Sequence, residues 1–267
     1  KKLLENENQE VQHFALHALR NCNTPAVGAA CLAFLLGPST NNHDAAAHAL
    51  STNPAALDAL LKAFLKEKDV DVARRLANPL AKLGKHFKDA HIRALVDRAA
   101  KQVADGDSMG DITLHVALAG ARDAAMRELA SRALKLRRAK KHADARVLLL
   151  RAASHGELSD EAQYQLGVCK LLAEAKHAAG ADHAHGNGDA TMGYFASLVR
   201  LGFPLLDRIK KETQLGPDQY LRLGRHFAES VAQERRFGAE LLRHLATKHP
   251  RVRAGEHAKN LLRAENL

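Results

Sequence analysis

Aromatic residues and cysteines are scarce in this chain of 267 residues, and tryptophan is absent. Aromatic residues make up 4% of the sequence, although hydrophobic residues as a whole make up 46%. Because strands favour aromatic and β-branched side chains, a core of alanine and leucine favours closely packed helices. The three cysteines, Cys22, Cys31 and Cys169, are too few and too scattered for a disulfide framework or a zinc ribbon.

Long apolar runs and targeting signals are missing as well. No segment is long and apolar enough to predict a membrane-spanning helix, and no signal-peptide pattern is present. With so few cysteines, these absences predict a cytoplasmic protein. The chain begins at Lys1 without methionine and already inside a repeat, so we expect the natural N-terminus to lie upstream, where a catalytic region remains an open alternative.

The net charge of +10 is spread unevenly along the chain. Residues 1–120 hold 14 basic and 13 acidic side chains, whereas residues 121–267 hold 26 basic and 17 acidic ones. Electrostatic attraction for a partner is therefore expected mainly in the second half.

Three segments of the first half repeat at spacings of 31 and then 30 residues, measured from Leu4 to Leu35 to Leu65. Thr24-Pro25 and Asn53-Pro54 open the helices between them, each with a capping side chain followed by proline at the first helical position. The pattern resembles HEAT repeats, which implies antiparallel helix pairs with Leu19, Leu50 and Leu80 in equivalent buried positions. The segments are LLENENQEVQHFALHAL (3–19), FLLGPSTNNHDAAAHAL (34–50) and FLKEKDVDVARRLANPL (64–80).

After residue 121 the pattern changes to one that resembles tetratricopeptide repeats. Ala133 and Gly167 lie 34 residues apart at the small-residue position of two successive units, and Glu157 stands where the family has proline. The last helix, within RVRAGEHAKNLLRAENL, would cap the array. The units are LASRALKLRRAKKHADARVLLLRAA (129–153), AQYQLGVCKLLAEAK (162–176) and YLRLGRHFAESVAQERRFGAELLRHLATKHP (220–250).

The two resemblances predict an all-α fold, a right-handed alpha-alpha superhelix of stacked helix pairs. They divide the chain into a HEAT-like domain at 1–120 and a tetratricopeptide-like domain at 121–267. An irregular helical bundle is the alternative. The segment 191–212 is expected to form a helix that breaks at Gly202-Phe203-Pro204.

Residues 177–190, HAAGADHAHGNGDA, form an insertion that is rich in histidine, aspartate and glycine. A metal site there would use His183, His185 and Asp182, with His177 as a further ligand. No second ligand pair stands at a recognised spacing, and a glycine-rich tether positions ligands poorly. We therefore expect a surface loop, with no metal and no cofactor.

Catalytic motifs are absent from the sequence: it has no G-x-S-x-G, no P-loop, no H-E-x-x-H and no C-x-x-C. A base-flipping glycosylase on HEAT-like repeats would need aromatic side chains to hold an unstacked base, and tryptophan is lacking. The sequence therefore predicts that the chain is not an enzyme.

The segment 132–151 carries eight lysines and arginines against a single acid, Asp144. One interpretation is a solvated helix face, and another is a surface for nucleic acid or another anionic surface. The third follows from the tetratricopeptide resemblance, which implies a groove lined by the first helices and suited to a peptide or partner protein with acidic residues. Under this third interpretation the chain is a non-catalytic protein–protein interaction scaffold. The partner-binding residues that it predicts are Arg127, Leu134, Arg137, Arg138, Tyr164, Leu171 and Arg225.

Overall fold

The computed structural model describes residues 3–38, 41–106, 112–178 and 188–267, with side chains for all of them except 174–178 and 188–190. These residues form fifteen α-helices and three short 3-10 helices, and none of them lies in a strand. The prediction of an all-α protein is confirmed for this part of the chain.

The first seven α-helices alternate with short turns. Short 3-10 helices occupy Leu19–Asn21, Pro54–Ala56 and Gly84–His86. Thr24 accepts a hydrogen bond from the Val27 N–H (3.3 Å) and Asn53 from the Ala55 N–H (3.1 Å), which confirms both predicted caps. The α-helices are α1 (Gln9–Ala18), α2 (Pro25–Leu36), α3 (His43–Ser51), α4 (Leu57–Lys66), α5 (Val70–Lys82), α6 (Asp89–Ala104) and α7 (Ile112–Ala119).

The remaining eight α-helices include the break that the sequence predicts. Helix α11 ends at Arg200 and α12 begins at Leu205, with Gly202 in the left-handed region (φ +74°) and Pro204 between them. The helices are α8 (Arg122–Arg138), α9 (His142–Ala153), α10 (Asp160–Ala178), α11 (Gly188–Arg200), α12 (Leu205–Lys210), α13 (Pro217–Ala228), α14 (Ala232–Lys248) and α15 (Arg253–Ala264).

The chain folds into two compact units. Unit 1 consists of Lys1–Arg132 and Arg151–Gly156, and unit 2 of Ala133–Leu150 and Glu157–Leu267. The division passes through α8 and α9, whereas the repeat pattern of the sequence changes near residue 120.

Alternate helices contact one another in unit 1. Helices α1, α3, α5 and α7 follow each other in one row, and α2, α4 and α6 in a second row. Leu50 and Leu80 are fully buried, as expected, but Leu19 is only half-buried. Helix α1 ends at Ala18, and the tighter 3-10 turn that follows rotates Leu19 away from the core, so Leu16 is buried in this helix instead.

Close backbone contact fixes the ends of α5 and α7 in unit 1. A Cβ atom built on Gly120 would lie 2.1 Å from the Ala81 carbonyl oxygen, and one built on Gly84 would lie 2.1 Å from the Gly120 carbonyl carbon. Only glycine allows these two segments to approach so closely.

Unit 2 packs α10 against α11, α13 against α14, and α15 against both α13 and α14. Its core is rich in aromatic side chains, whereas alanine and leucine dominate unit 1. A Cβ atom on Gly167 would lie 2.6 Å from Cζ of Phe195, so this glycine does permit the close helix approach that its repeat position predicts. The buried aromatic residues of unit 2 are Tyr164, Phe195, Tyr220, Phe227 and Phe237.

Candidate functional site

The C-terminal end of α8 places one arginine in the interior of unit 2. Arg137 is only 8% exposed, and its guanidinium forms an ion pair with Glu212 and donates a hydrogen bond to Gln165 Oε1. Burying a charge is costly unless it is paired and hydrogen-bonded, and these two partners supply that compensation. Three separate segments, α8, α10 and the turn after α12, are thereby joined.

Tyr164 of α10 lies beside this ion pair. Its hydroxyl donates to Glu212 Oε2 (3.3 Å) and to the Arg208 carbonyl (3.4 Å). Burial raises the pKa of Tyr164, and the Glu212 carboxylate raises it further, so the phenol stays a neutral donor at physiological pH.

A second ion pair covers the outer side of the same tyrosine. Arg208 pairs with Glu161 (2.6 Å), and its guanidinium carbon lies 5.1 Å from the centre of the Tyr164 ring. Glu161 also accepts a hydrogen bond from Gln165 Nε2 (2.6 Å). We call these connected side chains the Arg137 cluster: Arg137, Glu161, Tyr164, Gln165, Arg208 and Glu212.

Four cations of the same region are exposed: Lys135, Arg138, Lys140 and Lys141, which we call the basic turn. Helix α8 ends here, because the Lys140 N–H donates to the Arg137 carbonyl (2.9 Å) and the Lys141 N–H to the Leu136 carbonyl (3.0 Å). This pair of bonds is a Schellman motif, in which the residue at C′ is usually glycine. Here that residue is Lys140, in the left-handed region at φ 60°.

The structure separates the predicted partner-binding residues into accessible and buried ones. Arg127 in unit 1 and Arg138 and Arg225 in unit 2 are exposed, and Leu134 is half-buried. Arg137, Tyr164 and Leu171 are buried, and their role in binding a partner stays a prediction. These side chains are buried because the chain between α11 and α13 packs on α10. Phe203 contacts the Tyr164 ring (6.1 Å between centroids), and Glu212 forms an ion pair with Arg137.

The basic segment 132–151 is likewise divided. Arg132 pairs with Asp97 and Arg151 donates to the Ala99 carbonyl (3.2 Å), both within unit 1. With Arg137 paired in unit 2, the exposed positive charge of this segment is concentrated in the basic turn. The interpretation of this segment as a solvated helix face is thus open for the basic turn, whose four cations are exposed.

Four residues of the Arg137 cluster were not among the predicted site residues: Glu161, Gln165, Arg208 and Glu212. The Glu161–Gln165 spacing of one helical turn is a signal that could have drawn attention to that pair. Arg137 and Glu212 are separated by 75 residues, and no local pattern connects them.

The histidine-rich insertion gives no site in the described residues. Residues 179–187, with His183, His185 and Asp182, lie outside them, as does the His177 side chain. Among the residues whose placement is described, no group of three or more histidine, cysteine, aspartate or glutamate side chains could hold a metal ion, and no helix could span a bilayer. Burial raises the pKa of both Cys31 and Cys169 to about 11, so neither is a thiolate at neutral pH.

No protein-family model, no curated protein and no solved structure matches this chain.

Proposed function

We propose that this chain is a non-catalytic protein–protein interaction scaffold and that the basic turn of unit 2 binds an acidic segment of a partner protein. In this proposal the helix pairs continue as a right-handed superhelix of HEAT-like and tetratricopeptide-like repeats, which serves to display binding surfaces. The alternate helix contacts within unit 1 support it, because such rows are what stacked helix pairs produce.

The observation that carries the proposal is Lys140 in the left-handed region at the end of α8. A lysine at this backbone position costs about 1 kcal/mol relative to glycine, because its Cβ crowds the following carbonyl. The chain thus holds a positive charge at a position where stability alone favours glycine. A strained residue beside three further exposed cations indicates a binding role.

The size of the basic turn favours an acidic peptide over nucleic acid. Nucleic-acid binding through the whole segment 132–151 would require many phosphate contacts along an extended surface. Arg132, Arg137 and Arg151 already have partners within their own units, which leaves a compact group of exposed cations. Such a group suits a few neighbouring carboxylates.

The test compares Lys140→Gly with the unchanged protein, using a fluorescein-labelled octaglutamate peptide as the probe. Removing one exposed charge should weaken peptide binding by about two- to fivefold. The same change should stabilise the protein by about 0.5–1 kcal/mol, since glycine fits the left-handed position. Opposite signs of the two effects rule out unfolding as the cause of weaker binding.

Two quadruple variants with the same loss of charge complete the test. One replaces the basic turn by alanine at Lys135, Arg138, Lys140 and Lys141. The other replaces four exposed cations of α14, α15 and the turn between them: Arg236, Lys248, Arg251 and Arg253. Loss of peptide binding in the first variant alone supports the proposal. Equal losses in both, or tighter and more salt-dependent binding of a single-stranded oligonucleotide, would instead favour the anionic-surface alternative.

A further inference from the structure

Glu212 lies in a site that three donors build for a carboxylate. Arg137 pairs with its Oε2 atom, the Tyr164 hydroxyl donates to the same oxygen (3.3 Å), and the Gln214 N–H donates to Oε1 (3.3 Å). Two of these donors, Arg137 and Tyr164, come from α8 and α10 and not from the segment that carries Glu212. They would remain in place if another carboxylate replaced it.

Glu212 satisfies this site only in part. The Nε atom of Arg137 is buried and has no hydrogen-bond partner among the described residues. Arginine binds a carboxylate best through two parallel hydrogen bonds, and here one of the available N–H groups is unused. A carboxylate that approaches with both oxygens could use the Nε–H as well as the Nη2–H.

The turn that carries Glu212 is at the surface. Lys211 and Thr213 on either side of it are exposed, and α12 before it is held separately by the buried side chains of Leu205 and Ile209. Lys211–Gln214, which we call the Glu212 turn, can therefore move outward while α12 keeps its place in the core. Such local opening costs much less than unfolding of the unit.

The carboxylate site also lies next to the basic turn. Arg137 directly precedes Arg138 in the chain, and its carbonyl accepts the Lys140 N–H (2.9 Å) at the end of α8. An acidic segment drawn to the basic turn therefore arrives beside the buried guanidinium.

We infer that the Glu212 turn is an internal competitor, which occupies a carboxylate-binding site that an acidic segment of the partner takes over on binding. This inference rests on the proposed function and adds to it a second contact and a regulatory step. In the free protein Glu212 closes the site. In the complex a carboxylate of the partner binds Arg137 and Tyr164, and the Glu212 turn is released to solvent.

The experiment uses Glu212→Gln with Glu229→Gln as the matched control. Glu229 is exposed and pairs with Arg225 (3.3 Å), so the control makes the same change in charge away from the site. If the Glu212 turn is open about one-tenth of the time, freeing the site should tighten octaglutamate binding about tenfold in Glu212→Gln. The control should differ from the unchanged protein by less than about twofold.

Trypsin supplies an independent measurement at Lys210 and Lys211, at the edge of the turn. Cleavage there should be faster in Glu212→Gln than in the control, and faster in the unchanged protein when octaglutamate is present. Helicity by circular dichroism should stay the same in all variants.

Three outcomes overturn the inference. The first is octaglutamate affinity in Glu212→Gln that equals the control. The second is a Glu212→Gln protein that loses helicity and is cleaved throughout 157–267, because the ion pair is then a permanent part of the fold. The third is an absence of octaglutamate binding in every protein, which would also contradict the proposed function. If the unchanged protein binds octaglutamate and Glu212→Gln binds it no more tightly, only the inference about the Glu212 turn is contradicted.

Discussion

The two units bury different kinds of polar side chain. In unit 1 the buried polar residues are Asn42, Asn53, Thr113 and His155, which are neutral when His155 is unprotonated. In unit 2 they include Arg137 and Glu234, each paired with an opposite charge: Arg137 with Glu212, and Glu234 with Arg200 (2.7 Å). Unit 1 is thus held by the packing of small apolar residues, and unit 2 by an aromatic core with ion pairs at its edge.

The two units are therefore sensitive to different kinds of substitution. Neutral packing is sensitive to added volume and to new charge in the core. A buried ion pair is sensitive to the loss of one partner, and its removal as a pair can be neutral. All three tyrosines, Tyr164, Tyr194 and Tyr220, belong to unit 2 and there is no tryptophan, so intrinsic fluorescence reports on unit 2 alone.

The largest effect is expected from Gly120→Ala in unit 1. The new Cβ atom would lie 2.1 Å from the Ala81 carbonyl oxygen, and this is backbone that cannot move aside without separating α5 from α7. We expect a loss of about 3 kcal/mol in the free energy of unfolding. Urea unfolding followed by circular dichroism, with tyrosine fluorescence for unit 2, measures it.

The control for that substitution is Gly193→Ala in α11 of unit 2. No atom lies within 4 Å of a Cβ built there, and alanine favours a helix interior over glycine by about 0.5–1 kcal/mol. Gly193→Ala should therefore raise stability. A Gly120→Ala protein that unfolds at the urea concentration of the unchanged chain would show that small-residue packing does not hold unit 1.

The second effect concerns stability, which we expect unit 1 to lose at acid pH and unit 2 at alkaline pH. His155 is buried and stacks on His115 with 4.4 Å between ring centroids. Burial, followed by the charges of His115 and Arg122, lowers the pKa of His155 from 6.5 to about 4. Because the unfolded chain takes up the proton more readily, unit 1 loses stability as pH falls below 6.5, by about 2 kcal/mol between pH 7 and pH 5.

Unit 2 responds at the alkaline end. Burial and the Glu212 carboxylate raise the pKa of Tyr164 and of Tyr220, so the unfolded chain ionises first and stability is lost above pH 10. His155→Phe should reduce the acid effect and leave the alkaline one, and Tyr164→Phe should reduce the alkaline effect alone. Far-UV circular dichroism at pH 5 and pH 10.5 follows both. Loss of tyrosine signal before helicity at pH 5 would contradict the assignment to unit 1.

Much of the fold could be predicted because its signals are local. Thr24 and Asn53 cap helices from within their own turns, and Gly167 lies at a close helix contact. Periodic small residues indicate which helix face is buried, and this suffices to predict an all-α chain. Leu19 shows the limit, since one 3-10 turn changes which leucine faces the core.

The candidate site is formed by contacts between distant residues, and these contacts have no local signal in the sequence. Arg137 lies on the helix face that the repeat pattern assigns to the groove, but the pattern carries no information about Glu212 in a turn 75 residues away. The break at Gly202 and Pro204 was visible in the sequence, whereas the packing of the following segment on Tyr164 was not. Pairing between distant charges is decided by tertiary structure, so periodicity alone could assign Arg137 to a helix face but could not predict its partner Glu212.

The smallest effect is expected at Arg225, a predicted partner-binding residue that the structure leaves exposed. Its guanidinium pairs with Glu229 one turn further along α13, and both side chains are 61% exposed. Arg225→Ala should change stability by less than about 0.5 kcal/mol, because such surface pairs contribute little. Octaglutamate binding should fall by less than about twofold, since the neighbouring carboxylate already screens this charge.

Fluorescence anisotropy on Arg225→Ala, with Lys140→Gly measured beside it, decides the extent of the site. If the two losses are equal, the acidic segment reaches from the basic turn to α13, and the groove predicted from the repeat register describes the partner's path better than the basic turn alone. If Arg225→Ala binds as the unchanged protein does, recognition is confined to the end of α8, and the exposed face of α13 serves the fold and not the partner.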